Sequence, residues 1–516
     1  MSPLPRERRL FALALLFCLL LLFYPHYLPL VDLPQHASQV VLLNDLWLHG
    51  SSRWGEMLQI NWNTPYLVLY LYWLGLYQCF DILLSAKILL ATILLLYVWA
   101  FARFRRAYDG PVLVDWVALG TFFGLAFQFG FLSFLLALPF GLLFVLLSRA
   151  LVARLDSLHP ALLIGSLLPA GLFLYLNHVL IYALACLLAY GSFLIELRRR
   201  ALANRPVLRP FLVYSASYLI FALLLLYFLF KPDVTGFQFY QRTEFHPWGP
   251  KTLALLYLPW NQTALPGYDF FTLALYLLPP ALGYRPSRDP QRHWPLLAVL
   301  AVYYLLPFIG FEVTQIYSRF ALLIPPFYYL IWTPGPALAA PTAYLRWAHG
   351  FFVLCASALL LKFANNQIRF EHATATREFR QILAQLEPGK RLLTVFELGT
   401  RSAPESKLTS ALEYLYFGNW YQAERGGWSD FNFASLYPQV VRFKPGRTPA
   451  KRAVTAELQP ENFQAITRCQ DYDYLLVRTR LMNIDTIEGH IHSNPDCGRF
   501  RFATHAGYWL LFTPQN

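Results

Sequence analysis

Asp32 and His36 stand four residues apart in VDLPQHASQ (residues 31–39), directly after a stretch that is almost entirely Leu, Phe and Ala. At that spacing a carboxylate and an imidazole fall about one helical turn apart, where they can act as a base or help to hold a metal. The same letters have a plainer use. DLPQ places an acceptor before a Pro that suits a helix start, with Gln35 three residues on, so Asp32 can simply cap an interfacial helix. The two roles are compatible.

Other residues with chemical capacity are spread along the chain. His178, in LNHVL, is either a packed histidine at a helix end or a substrate ligand. Arg242, Lys251 and Arg319 can pair with lipid headgroups or snorkel, or they can bind a substrate phosphate. Four cysteines, Cys18, Cys79, Cys186 and Cys355, lie in or beside apolar runs and act as small hydrophobes. Cys469 and Cys497 are the only two in the polar C-terminal region, which makes them the disulfide pair if that region meets an oxidising compartment. No C-x-x-C zinc spacing occurs.

The elements that must position these groups are membrane helices. The 516 residues are 57% hydrophobic and 14% charged, more apolar than a soluble globular chain. Windows such as 10–30, 82–102 and 211–230 each supply the roughly 20 apolar residues a crossing needs, and they are continuous rather than alternating, so helices are implied and a barrel is not. The first run follows RERR but is long and lacks a small-x-small cleavage site, so it reads as a retained span. The net charge of +13 does not indicate nucleic acid. The basic residues cluster as RFRR, RALVAR, RRRALANR and RPSRDPQR between apolar segments, as a positive-inside topology requires.

Placing those clusters and the N-terminus in the cytoplasm predicts an all-α polytopic bundle of about eleven transmembrane helices over residues 1–362, with an external loop at 31–66. PYLVLYLYWLGLYQCF, rich in Tyr and Trp, is expected to lie at the headgroup level as an interfacial or re-entrant helix, not a crossing. Asp32, His36, Asp45, His49, Glu56, His178, Lys231, Asp233, Arg242, Glu244, His246, Lys251, Glu312 and Arg319 then gather on the outer face, which favours an external cavity. Residues 363–516 have ordinary polarity and read as an extracytoplasmic α/β domain. A helix in HATATREFRQILAQLEPG closes at Gly389, and RLLTVFEL, DYDYLLVRT and YWLLFTPQ pattern as strands.

This layout resembles the integral-membrane glycosyltransferases of the GT-C fold class. DLPQHA (residues 32–37) is similar to the acidic motif those enzymes carry in their first external loop, and YSRFALLIPP resembles them more loosely. The resemblance implies a bacterial inner-membrane enzyme with a periplasmic C-terminal domain. Such an enzyme transfers a sugar from a polyprenyl-phosphate donor to a periplasmic glycan, lipid or polysaccharide acceptor. Asp32 would deprotonate the acceptor or hold a divalent metal, and Arg319, Arg242 or Lys251 would meet the leaving phosphate. No second acid adjoins Asp32, which counts against a metal, because hard cations want several oxygen ligands.

Two other classes remain open. A transporter, flippase or non-catalytic subunit of a polysaccharide assembly system would place charges near the midplane and show repeated halves; here the charges sit at one face and no repeat is visible. A receptor would use the aromatic stretch LYFGNWYQAERGGWSDFNF (residues 415–433), which suits sugar stacking as well as an aromatic core.

Overall fold

LSFLLALPFGLLFVLLSRALV, residues 132–152, carries no charge before Arg149, and in hydrocarbon such a run satisfies its backbone only as a helix. The computed structural model of the protein is mostly helical. Its helices, in chain order, are α1 (Pro5–Phe23), α2 (Leu33–Trp47), α3 (Leu67–Tyr77), α4 (Ile82–Ala107), α5 (Leu113–Phe122), α6 (Leu125–Phe129), α7 (Leu132–Val152) and α8 (Pro160–Asn177). There follow α9 (Val179–Leu202), α10 (Leu208–Phe230), α11 (Trp248–Ala254), α12 (Tyr268–Ala281), α13 (Pro290–Leu305), α14 (Ile324–Leu330), α15 (Ala343–Ala373) and α16 (Thr376–Gln385). The structure describes residues 5–50, 53–157, 159–230, 242–260, 268–310, 313–335, 343–373, 376–396, 414–429, 432–436, 438–447, 469–479 and 483–515.

Among the described residues, six helical stretches are long and apolar enough to cross a membrane: α4, α7, α8, α9, α10 and Gly350–Gln385. Along α10, Leu212, Leu219 and Leu223 are 57%, 64% and 56% exposed, an apolar stripe that water would penalise and lipid would accept. The sequence expectation of about eleven crossings exceeds this count, and the differences have physical causes. The 11 residues of α3 are not among those differences, since they span about 16 Å, half of a hydrocarbon core, and no crossing is expected of them. The expected span 320–333 is instead a 3-10 turn, Ser318–Leu323, followed by the seven-residue α14, which opens on Pro325 and Pro326. Residues 24–27, with Pro25, end α1 before Leu30.

The basic clusters meet at one end of the bundle. Glu7, Arg8, Arg105, Arg106, Asp109 and Asp115 line a cavity of about 720 Å³. Arg105 pairs with Asp115 at 2.9 Å, Arg200 with Asp156 at 2.7 Å, and Arg199 with Asp289. The opposite ends of α1, α7, α8 and α9 lead into loop 24–32, the Gly130 turn and the Asn177–His178 tip.

The C-terminal region carries a small mixed sheet of β4 (Arg391–Phe396), β5 (Trp428–Ser429), β7 (Tyr474–Arg478), β8 (Phe500–Ala506) and β9 (Trp509–Pro514), in the order β5-β4-β7-β9-β8. Strand β4 runs parallel to β5 and β7, while β9 is antiparallel to β7 and β8. Alternation splits the strands between two cores: Leu393, Leu475, Val477, Leu510 and Phe512 pack with Ile487 and Ile491, whereas Leu392, Leu476, Trp509 and Leu511 join the main core. Cys469 and Cys497 are disulfide-bonded inside the smaller core.

The tail is not separate from the first loop. Strand β1 (Leu58–Ile60) pairs antiparallel with β6 (Val441–Phe443), so residues 58–60 and 441–443 lie on the same side of the bundle. One helix, α15, passes through residue 362 without a break. Leu33 to Asn44 of α2 are all buried, because tail residues cover the face that an interfacial helix would show to water.

Candidate functional site

Val31 and Asp32 donate their backbone N–H groups to the carbonyls of Gln128 (3.1 Å) and Phe129 (2.9 Å). Those carbonyls precede Gly130, whose φ of +77° suits glycine. A Cβ there would sit 3.3 Å from the backbone nitrogens of Asp32 and Leu33. The chain leaving α1 is thus stitched to the α6–α7 turn, and Asp32 is fixed at the stitch.

The Asp32 carboxylate makes no capping hydrogen bond to α2. The helix starts without it, on Pro34 and on the His36 N–H to Asp32 carbonyl bond at 3.0 Å. The capping reading therefore fails, and the side chain is spare. Burial pushes its pKa up to about 8, and the nearby Arg319 guanidinium opposes that rise. Asp32 keeps partial solvent exposure.

His36 plays a different part from the one its spacing suggests. Its Nδ1 lies 2.7 Å from the Tyr70 hydroxyl, the Gly130 carbonyl faces the ring, and Phe433 packs edge-on against it. Burial and the Arg319 charge lower its pKa to about 3, so the imidazole is neutral. With Tyr70 and Gly130 engaging the ring, His36 braces the Gly130 turn against α2. It positions Asp32 and is not a second base.

Arg319, from the 3-10 turn, reaches the same corner. Its guanidinium stacks 3.7 Å from the Phe131 ring centre, donates through Nη2 to the Thr314 carbonyl (2.9 Å) and meets the Tyr66 hydroxyl. Arg319 is 7% exposed, and among the described residues its Nε has no partner. Asp32 and Arg319 sense each other's charge, yet among the described residues they form no ion pair within 4.0 Å. A pair serving only neutralisation would close that gap.

His178 ends α8 and starts α9. Its Nδ1 accepts from the Leu180 N–H at 3.2 Å, and its ring packs on Tyr66 (5.0 Å) and Phe134 (5.4 Å). Asn177 and His178 are fully buried, and among the described residues both amide atoms of Asn177 and Nε2 of His178 lack partners. Each such group costs about 1–3 kcal/mol unless a ligand or water satisfies it. Each such group calls for an explanation, whether a bound water, an ion or a binding role.

Asp32, His36, His178 and Arg319 thus converge, and two predicted ligands do not. Lys251 spends its ammonium on the carbonyls of Tyr303 (3.3 Å), Tyr304 (3.0 Å) and Leu306 (2.8 Å), and lies over the Tyr317 ring. It caps the C-terminus of α13 and has no donor left for a phosphate. Arg242 is exposed and paired with Glu244 at 2.8 Å. Asp45 and His49 form an exposed pair at 3.7 Å. Lys231, Asp233 and Glu312 lie outside the described residues.

Spacing gave no sign of several supports. Tyr66 and Tyr70, expected at the headgroups, turn inward from the start of α3 and are buried, while Trp73 donates to Ser85 Oγ at 2.9 Å. Gln439, from the tail, accepts from the Tyr70 hydroxyl. Gln35 and Gln39 on α2 accept from the backbone N–H groups of Phe433 and Val441, both at 2.9 Å, and Ser38 donates to the Asn419 carbonyl, also at 2.9 Å.

A divalent cation does not fit these residues. Among the described residues no three His, Cys, Asp or Glu side chains come together, and the one acid present already faces a guanidinium. No protein-family model matches the chain, and no curated protein matches it.

Proposed function

We propose that the protein is an integral-membrane glycosyltransferase that moves a sugar from a polyprenyl-phosphate carrier to a hydroxyl of a glycan or lipid acceptor. The observation that carries this reading is the spare Asp32 carboxylate beside, but not paired with, a buried Arg319 that retains an unpartnered donor. A base and a cation that are not spent on each other can each act on a substrate that reaches them.

The chemistry balances with these groups alone. Asp32 takes the proton of the acceptor hydroxyl as that oxygen attacks the anomeric carbon. The bond from that carbon to the phosphate oxygen breaks, and the phosphate leaves with the electron pair, stabilised by Arg319. A single displacement of this kind inverts the anomeric centre. A base with a pKa near 8 is matched to proton transfer close to neutral pH.

The setting agrees with a lipid-borne donor. The six long apolar helices set the chain in a bacterial inner membrane. The basic clusters then lie in the cytoplasm, and Asp32 lies with the C-terminal domain in the periplasm. The test is transfer from a panel of radiolabelled polyprenyl-phosphate sugars by the full-length protein in lipid nanodiscs. Asp32→Asn is expected to abolish product at unchanged yield and folding. Turnover by that variant at the wild-type rate would refute the reading.

A further inference from the structure

The cavity of about 720 Å³ at the basic end of the bundle lies where α1 starts, α4 ends and α5 starts, at the other end of α1 from loop 24–32. Its size is that of a small-molecule site, for which about 300–1,000 Å³ is usual. Three arginines and three carboxylates line it: Arg8, Arg105 and Arg106 with Glu7, Asp109 and Asp115. Arg105 and Asp115 are buried and spent on each other at 2.9 Å, so they form a wall. Glu7, Arg8, Arg106 and Asp109 differ: among the described residues these four side chains form no ion pair within 4.0 Å and no hydrogen bond. Two cations and two carboxylates left over sum to no net charge. A plain anion would lose to the acids what it gains from the arginines, so the cavity suits a group that carries both signs.

The approach to the cavity indicates what bears that group. Leu95 and Trp99, 45% and 46% exposed, share one face of α4 with Ala102 and Arg106, which line the cavity. The rise from Leu95 to Arg106 is about 16 Å, half of a hydrocarbon core and so the depth of one leaflet. Phe11 and Trp116, edge-on with ring centres 5.1 Å apart, close the apolar side of the cavity. An acyl chain lying along Leu95 and Trp99 would deliver its headgroup to Arg106.

We propose that this cavity holds the headgroup of a zwitterionic phospholipid bearing a primary ammonium, drawn from the leaflet on the side of the basic clusters. Arg8 and Arg106 take the phosphate, Glu7 and Asp109 take the ammonium, and an acyl chain follows α4. A primary ammonium offers three N–H donors to the two carboxylates, and a choline offers none. The site is separate from the Asp32 corner and does not depend on the reaction assigned there.

The probes are dihexanoyl phosphatidylethanolamine, its phosphatidylglycerol and phosphatidylcholine counterparts, and free phosphoethanolamine, each titrated calorimetrically into the full-length protein in detergent. The wild type is expected to bind the phosphatidylethanolamine at least about tenfold more tightly than any of the other three. Arg106→Gln should weaken that binding about tenfold. Asp109→Asn should make phosphatidylglycerol the tighter ligand, because the cavity then carries a net positive charge. Both side chains are exposed, and Asn tolerates the φ of +51° at position 109, so both variants should melt with the wild type when no lipid is added. A wild type that prefers phosphatidylglycerol, or that binds phosphatidylcholine equally well, overturns the inference. So does an Asp109→Asn variant whose selectivity is unaltered. Free phosphoethanolamine bound as tightly as the lipid overturns the lipid as the bearer of the headgroup.

Discussion

Replacing Asp32 by Asn should make the protein more stable as it makes it inactive. The carboxyl group has an ordinary pKa of 3.8 and is pushed up to about 8 by burial in the fold. An acid raised in the folded state contributes stability at low pH that is lost as pH climbs from about 4 to about 8, because the unfolded chain sheds the proton first. Keeping that proton at pH 7, when the unfolded chain releases it at 3.8, costs about 4 kcal/mol at 1.36 kcal/mol per pH unit. Asn removes the titration and forfeits no helix cap, since the carboxylate caps nothing. Partial exposure of the side chain makes the figure an upper bound, and about 1–3 kcal/mol is the expected gain at pH 7.5. The assay is thermal unfolding in detergent at pH 5 and pH 7.5. The variant should melt several degrees above the wild type at pH 7.5, with the gap shrinking at pH 5. A variant that melts at or below wild type at pH 7.5, or whose advantage is the same at both values, would refute the reasoning.

Four further outcomes follow from the same geometry. The transfer rate under subsaturating substrate should rise with pH through an apparent pKa near 8 as Asp32 loses its proton, measured with radiolabelled donor; a flat profile from pH 6 to 9 contradicts Asp32 as base. Gly130→Ala forces a side chain onto a φ of +77° and against the Asp32 nitrogen, so it should cost about 1–2 kcal/mol in melting experiments and lower turnover more than substrate affinity. Lys251→Met strands three buried carbonyls and should destabilise by about 2–4 kcal/mol, whereas Arg242→Ala should shift stability by less than about 0.5 kcal/mol, both read by thermal unfolding. Cys469→Ser opens a link across 28 residues and should cost about 3 kcal/mol, seen as earlier proteolysis of the tail without reductant present.

The sequence made some of this legible because certain signals are local. Continuous apolar runs announced α4, α7, α8, α9 and α10, and alternation announced β4, β7 and β9. Asp32 and Arg319 stood out because charge beside hydrocarbon is costly and needs a reason. What escaped the reading depends on partners far along the chain. Tyr66 and Tyr70 look like headgroup residues until Arg319, His36 and Gln439 are brought to them. Lys251 looks like a phosphate ligand until the carbonyls at the end of α13 claim it. Among the described residues the long apolar helices are fewer than the expected crossings partly because prolines cut apolar stretches into short pieces, as at Pro325 and Pro326.

The ribbon that joins residues 58–60 to 441–443 also governs when the protein can become whole. Strand β1 is made early and must wait for a partner some 380 residues behind it, which at 5–20 residues per second is about 20–80 seconds of synthesis. Throughout that interval the face of α2 that carries Gln35, Ser38 and Gln39 lacks its tail partners, so a nascent chain stalled or clipped before residue 441 would present an unfinished surface to its surroundings. Premature termination near the tail should therefore yield clearance by quality-control proteases, not a partly working molecule.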